Sequence, residues 1–223
     1  MKIAVFDFCD TLVNFQTADA YTDYVINVVK ADSVKYRAKF YSYLKEKKRI
    51  SHYLDKYGFI NKRLKLWRLK GLSKKEMEEA AKQFYKEKVL SGLQMPLIKR
   101  LKKYQSEGYK IYIVSGGYDI YLQFFVQEYN LDGLLSTKLK FNKRDVFSGS
   151  IWNRDCMNVQ KTKMLNQYFR GKEIDFSISY SDSMSDLPML KWSTVGVVVS
   201  KYQYRKWPEI YGLEQILLSS LED

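Results

Sequence analysis

Short apolar runs that each stop at a hydroxyl or a carboxylate constrain this chain more than any other feature. Ile3-Ala4-Val5-Phe6 stops at Asp7, and Ile111-Tyr112-Ile113-Val114 stops at Ser115. A third run, from Asp175 to Tyr180, opens into Ser181-Asp182, and Val195 to Val199 is a further apolar stretch. Runs of this length read as buried strands. Helical patterns separate them: from Pro96 to Glu107, closed by Gly108, from Asp119 to Glu128, and from Gln160 to Phe169. Strands alternating with helices predict an α/β fold built on a parallel sheet. Thr137 to Phe141 and Val146 to Ser150, joined by Asn142-Lys143-Arg144-Asp145, read as a small β-hairpin.

Between about Asn14 and Leu90 the pattern is helical, long and nearly free of Gly and Pro. Ser73, with Glu76 three residues on, is a capping box for a helix reaching about Lys88, and Ser91-Gly92 marks a stop. Residues 15–91 therefore read as an inserted helical domain. The core is expected to comprise residues 1–14 and 92–223.

Charge follows the same division. Of the 223 residues, those from Lys30 to Lys110 hold 24 Lys and Arg against 8 Asp and Glu, whereas the rest hold 14 against 17. The net charge of +13 thus belongs to one basic block in a slightly acidic frame. Aromatic residues interleave with that charge at Tyr36, Phe40, Tyr41, Tyr43, Tyr53, Tyr57, Phe59 and Trp67. Such a pattern could stack bases, but at helical spacing the aromatics are expected in the core. The block is read either as a surface for anions or as solvated helix faces.

Other classes are excluded. No apolar run approaches the roughly 18 residues needed to span a bilayer. The carboxylates at Asp7 and Asp10 come too early for a signal-peptide apolar region. Cys9 and Cys156 lack any C-x-x-C partner, so neither a disulfide framework nor a zinc site is indicated. A cytoplasmic protein without membrane partners is expected. The one histidine, His52, cannot supply a metal cluster and is read as an exposed or packing residue.

In a parallel sheet the C-terminal strand ends share one edge, so Asp7, Asp10-Thr11, Ser115, Asp182 and Asp186 can converge. Carboxylates from two strands suit a hard cation such as Mg²⁺. Ser115 with the amides around Gly116-Gly117 makes an anion-binding turn at a helix start, and Lys161 can add a point charge. This set suits phosphoryl transfer.

Taken in order, AVFDFCDTLV, IYIVSGGY, DCMNVQKTKML and YSDSMSDLPML resemble the four motifs of the haloacid dehalogenase superfamily, most closely its phosphoserine-phosphatase-like subfamily. The likeness covers Met1 to about Asn14 and Met95 to about Ser200. It implies a Rossmann-like core with a helical cap inserted after the first motif, and a Mg²⁺-dependent phosphatase acting on a small phosphorylated metabolite. By that resemblance Asp7 is the nucleophile that forms an aspartyl-phosphate. Asp7, Asp182 and the backbone carbonyl of Cys9 bind Mg²⁺, and Asp186 supports the metal through water, with Ser185 beside it. Ser115 and Gly116 hold phosphoryl oxygens, Thr11 orients the first loop, and Lys161 neutralises charge between Asp7 and the phosphate. Cys156 is read as packing. The likeness also implies a substrate such as a phosphorylated sugar or amino-alcohol intermediate of surface-polysaccharide synthesis.

One position departs from the family pattern D-x-D-x-T. The register set by Asp7 and Thr11 puts Cys9 where the second Asp protonates the leaving alcohol, with Asp10 one residue later. General acid–base catalysis is typically worth about 10²–10⁴-fold, and a thiol with a pKa near ~8.5 is a poor acid for an alkoxide. Asp10 reaching the site, Cys9 sufficing with solvent, and a slow or inactive site are the three outcomes. Two alternative functions stay open: a catalytically weak module binding nucleic acid or another polyanion, and a phosphotransferase. Nucleic acid is the less favoured partner, because no recognised nucleic-acid motif is present.

Overall fold

A computed structural model of the 223-residue chain describes residues 1–29 and 31–221. It contains, in chain order, β1 (Lys2–Phe6), α1 (Thr17–Val28), α2 (Asp32–Glu46), α3 (Lys48–Lys56), α4 (Gly58–Trp67), α5 (Lys74–Phe84) and α6 (Met95–Ser106). There follow β2 (Lys110–Tyr118), α7 (Asp119–Glu128), β3 (Gly133–Phe141), β4 (Phe147–Trp152), α8 (Val159–Tyr168) and β5 (Phe176–Ser181). The chain ends with α9 (Leu187–Trp192), β6 (Val195–Ser200), α10 (Trp207–Ile210) and β7 (Glu214–Leu217).

The strands form one sheet in the order β4-β3-β2-β1-β5-β6-β7. Every neighbouring pair is parallel except β3 and β4. Alternate strand residues point to opposite faces. Ala4, Phe6, Ile111 and Ile113 join a large core with α6 and α7, while Ile3, Val5, Tyr112 and Val114 pack on Leu165 of α8, Phe169 just after it and Met189 of α9. The expected hairpin is present, but its first strand begins at Gly133 and continues the main sheet through parallel pairing with β2.

Local signals explain the helix ends. Ser73 Oγ accepts from Glu76 N–H at 3.2 Å and Glu76 Oε2 accepts from Ser73 N–H at 2.8 Å, which starts α5. Pro96 lies in the first turn of α6, and Gly108, at φ +79°, follows its end. Between Thr17 and Phe84 the chain is helical throughout its named elements, and the buried faces of α1 and α5 run into the core that covers the sheet. Where the chain leaves β1 and returns towards α6, Val13 and Leu93 pair antiparallel.

The aromatics of the basic block correct the expectation of burial. Tyr36, Phe40, Tyr43, Tyr53 and Tyr57 are exposed on α2, α3 and the turn that follows, whereas Tyr41 is buried and Trp67 half-buried. The side chain of Phe59 lies outside the described residues. Lys47 breaks the helix between α2 and α3, and these helices turn only Val34, Tyr41 and Leu54 fully inward, which leaves the other rings on outward faces. His52 is exposed. No described helix is long and apolar enough to cross a membrane.

Candidate active site

The first loop leaves β1 at Phe6 and turns irregularly over Phe8–Leu12. Asp7, almost fully buried, aims its carboxylate over the C-terminal edge of the sheet. Thr11 ties it to β5: its hydroxyl accepts from Asp182 N–H at 3.0 Å and faces Asp182 Oδ1 at 3.3 Å and Asp7 Oδ2 at 3.4 Å. Two carboxylates from distant parts of the chain thus converge on one hydroxyl. The adjacency of β1 and β5 in the sheet makes this possible.

Lys161, from the first turn of α8, is also buried. Its Nζ donates to Asp7 Oδ1 at 2.7 Å and to Asp186 Oδ2 at 2.6 Å, and Ser181 Oγ donates to the same Asp186 oxygen at 2.7 Å. Burial raises the Asp7 pKa to about 7, Lys161 opposes the shift, and the charges of Asp186 and Asp182 add to it. Asp182 is also raised, chiefly by burial and then by the charge of Asp10. Asp7 and Asp186 therefore share one ammonium at the sheet edge, with the Asp182 carboxylate beside them.

That surplus negative charge, presented by oxygen donors alone, fits a hard divalent cation. Among the described residues no three His, Cys, Asp or Glu side chains form a cage for an ion. Mg²⁺ characteristically takes one or two carboxylates and completes its shell with water and substrate phosphate oxygens, so Asp7 and Asp182 meet its requirement.

Ser115 ends the paired part of β2. The β2–β3 register slips between Ser115 and Tyr118, which takes Gly116 and Gly117 out of the ladder. Ser115 Oγ, fully buried, accepts from Gly117 N–H at 3.1 Å. A Cβ on Gly117 would meet the Tyr121 hydroxyl at 2.7 Å and Thr17 Oγ1 at 3.2 Å, so only glycine fits there.

The two candidates for the acid/base position diverge. Cys9 Sγ lies 3.0 Å from Thr17 Oγ1 and 3.8 Å from Ser115 Oγ, on the cavity side of the loop. Burial and the charge of Asp7 push its thiol pKa up. Asp10, at φ 54° in the left-handed region that Asp tolerates, turns elsewhere. Lys201 Nζ donates to its Oδ1 at 2.7 Å and Gln16 Nε2 to its Oδ2 at 2.5 Å. Asp10 is absent from the lining of the cavity that Asp7 and Cys9 share. Cys156 is buried in the second core cluster, where its thiol donates to Leu135 O at 3.4 Å.

A cavity of about 1010 Å³ opens between this edge and α4, lined by Asp7, Cys9, Gly116, Lys161, Asp182 and Asp186 on the sheet side. Sequence reasoning missed what α4 contributes. Lys62 Nζ reaches Gly116 O at 2.9 Å and Asp155 Oδ1 at 2.7 Å, and Thr137 Oγ1 donates to that same carboxylate oxygen at 2.6 Å. Arg205 donates to the backbone carbonyl of Asp182. Lys62 had no distinguishing signal among the many cations of its block, and Asp155 had only its position beside Cys156.

A profile of the haloacid dehalogenase-like hydrolase family matches residues 4–191. The chain belongs to that family and is a hydrolase. It is 22% identical over 204 residues to a histidinol-phosphatase from Neisseria meningitidis serogroup C (strain 8013), covering 89% of this chain and 90% of that protein. Its fold matches a protein of unknown function from Bordetella pertussis Tohama I with TM-score 0.79 at 16% identity, over 97% and 98% of the two chains. A substrate-bound phosphoserine phosphatase matches with TM-score 0.61 at 18% identity, over 96% and 92%.

Proposed function

We propose that the chain is a Mg²⁺-dependent phosphomonoesterase, acting on a small phosphorylated metabolite of the cytoplasm through an aspartyl-phosphate on Asp7. The observation that carries this reading is the Asp7–Lys161–Asp186 cluster, with Asp182 held to it through Thr11. Asp7 attacks phosphorus with one carboxylate oxygen, the P–O bond to the leaving alcohol breaks, and water later cleaves the acyl phosphate to restore Asp7. Lys161 offsets the charge that crowds Asp7 and the incoming phosphoryl group, and Ser115 and Gly116 bind its oxygens. Asp7, Asp182 and the Cys9 carbonyl would hold Mg²⁺, with Asp186 behind them through water. Bound there, the ion would supply Lewis-acid stabilisation of the phosphoryl oxygens.

Residues 15–91 act in this reading as a cap over the leaving group, and the core is residues 1–14 and 92–223. Cys9 occupies the place of the acid/base, and its raised pKa keeps the thiol protonated but makes it a weaker acid for the leaving oxygen than a carboxyl group would be. Asp10, held by Lys201 and Gln16, is left as a brace of the first loop. A phosphorylated sugar or amino alcohol, such as those used in surface-polysaccharide synthesis, is the substrate class considered.

A phosphate-release screen over phosphorylated sugars, amino alcohols and p-nitrophenyl phosphate, with Mg²⁺ and with EDTA, tests the proposal. Release that needs Mg²⁺ and is lost in Asp7→Asn supports it. Silence across the panel, or release that survives in Asp7→Asn, overturns it.

A further inference from the structure

The cavity wall away from Asp7 carries a charge pattern of its own. Lys161 is taken up by Asp7 and Asp186, Lys62 by Asp155 at 2.7 Å, and Lys65 by Asp19 at 2.6 Å. Two further cations line the cavity, Arg63 on α4 and Arg154 on the connection between β4 and α8. Among the described residues neither guanidinium has a carboxylate within ion-pair distance, and Arg154 makes one contact of 3.4 Å to the amide oxygen of Gln160. The acidic side is the mirror image. Asp19 and Asp155, the lining carboxylates outside the Asp7–Asp182–Asp186 cluster, each already hold a lysine.

The rest of the lining is rich in amides and hydroxyls, including Gln16, Asn61, Asn153 and Asn158, and no aromatic ring is among the described lining residues. Among the described lining residues none offers a face to stack a nucleobase or an imidazole. A free ammonium on a ligand would find no unpaired carboxylate at this end and would meet two guanidiniums. An anionic group would find two fork-shaped donors, one from α4 and one from the β4–α8 connection.

Resting on the phosphatase reading above, we propose that the substrate is a hydroxyl-rich phosphate ester with a second anionic group and no ammonium, the second anion being held by Arg63 and Arg154. The amino alcohols drop out on this reading, and an acidic or doubly phosphorylated sugar fits. The two arginines set specificity, because an anion gripped by both spans α4 and the β4–α8 connection and fixes the ester over Asp7.

The test compares kcat/KM at low salt for five esters. Glucose 6-phosphate carries no second anion; 6-phosphogluconate carries a carboxylate, fructose 1,6-bisphosphate a second phosphate, and phosphoserine and histidinol phosphate an ammonium. One of the two doubly anionic sugars should exceed glucose 6-phosphate by about tenfold or more, mainly through KM, and which one does so tells carboxylate from phosphate. That advantage should shrink as salt is raised. In the double variant Arg63→Gln/Arg154→Gln the ratio should collapse towards one, with an unaltered melting temperature as evidence of folding, since both side chains are exposed. Equal rates in the wild type, a ratio that survives in the double variant, or preference for an ammonium ester overturns the proposal. Absence of hydrolysis of every ester, p-nitrophenyl phosphate included, overturns the phosphatase reading along with it, which separates the two failures.

Discussion

Lys161 Nζ stands 2.7 Å from Asp7 Oδ1, and both side chains are almost fully buried. This ammonium is the counter-charge that lets Asp7 and Asp186 lie together at the end of the sheet. Without it Asp7 and Asp186 would be buried and unpaired, and losing one partner of such a pair costs about 3–5 kcal/mol. Lys161→Ala is therefore expected to lower the melting temperature of the metal-free protein markedly. Wild-type stability in that variant would contradict the burial described here.

Asp7 sets a pH dependence. Its pKa is raised from 3.8 to about 7, so between those values the folded chain binds more protons than the unfolded one. The stability of metal-free protein should fall as pH rises from about 4 to about 7. Asp7→Asn should reduce that slope, leaving the part due to other carboxylates with raised pKa such as Asp182, while lowering phosphate release by at least about 10³-fold. Thermal melts in EDTA across this range check the first point, and a slope unchanged in Asp7→Asn would refute it.

Cys9 and Asp10 separate cleanly by mutation. Cys9→Asp puts a carboxylic acid beside Thr17 and Ser115, and kcat is expected to rise by up to about 10²-fold. Asp10→Asn breaks the bond to Lys201 outside the cavity, and its loss should stay well below the roughly 10²-fold of a missing acid/base. Steady-state kinetics on one ester decide this. A collapse of kcat in Asp10→Asn would show that the loop rearranges on binding.

The paired glycines after Ser115 should differ. In Gly117→Ala the new methyl meets the Tyr121 hydroxyl at 2.7 Å and Leu122 Cδ1 at 3.1 Å, deep in the core, and a loss of about 1–3 kcal/mol is expected. In Gly116→Ala the obstacle is the flexible Met157 side chain, which can move aside. Denaturant unfolding of the two variants gives the comparison. Equal stabilities would mean that the Thr17–Tyr121 contact is not held rigidly.

Lys62 and Asp155 are expected to couple by about 0.5–3 kcal/mol in a double-mutant cycle read as thermal stability. Their side chains are only 14% and 26% exposed, so solvent screens the pair less than a surface bridge. Additive single mutants would place the pair among contacts without energetic weight.

Much of this architecture is legible in the chain because buried parallel strands are short, apolar and abruptly ended. β1, β2, β5 and β6 show that pattern, and the edge strand β7, with the sequence EQIL, does not, since one side of it meets solvent. The polar strand ends predict the approach of Asp7 and Asp182, which Thr11 bridges, whereas Lys161 comes to Asp7 from the start of α8. The fate of Asp10 is not legible, because it depends on Lys201, a partner that only the sheet brings near. The contact of Lys62 with Gly116 is hidden for the same reason, among cations that look alike in one dimension. The exposed rings of α2 and α3 defeat a periodicity argument, since spacing identifies a helix face without saying what covers it.

The helical segment is fastened in two separate places. At one, Val13 pairs with Leu93; at the other, backbone bonds join Gly71 to Phe147 O at 2.9 Å, Phe147 to Leu72 O at 2.8 Å and Lys74 to Asp145 O at 2.7 Å. A rigid swing of the whole segment would also have to pull the buried faces of α1 and α5 out of the core. Substrate traffic then falls to α2, α3 and α4, which carry few buried residues and can loosen while α1 and α5 stay seated. Substrate entry then calls for a local loosening of these helices, and a crosslink between α2 and α3, away from the cavity lining, is expected to slow turnover.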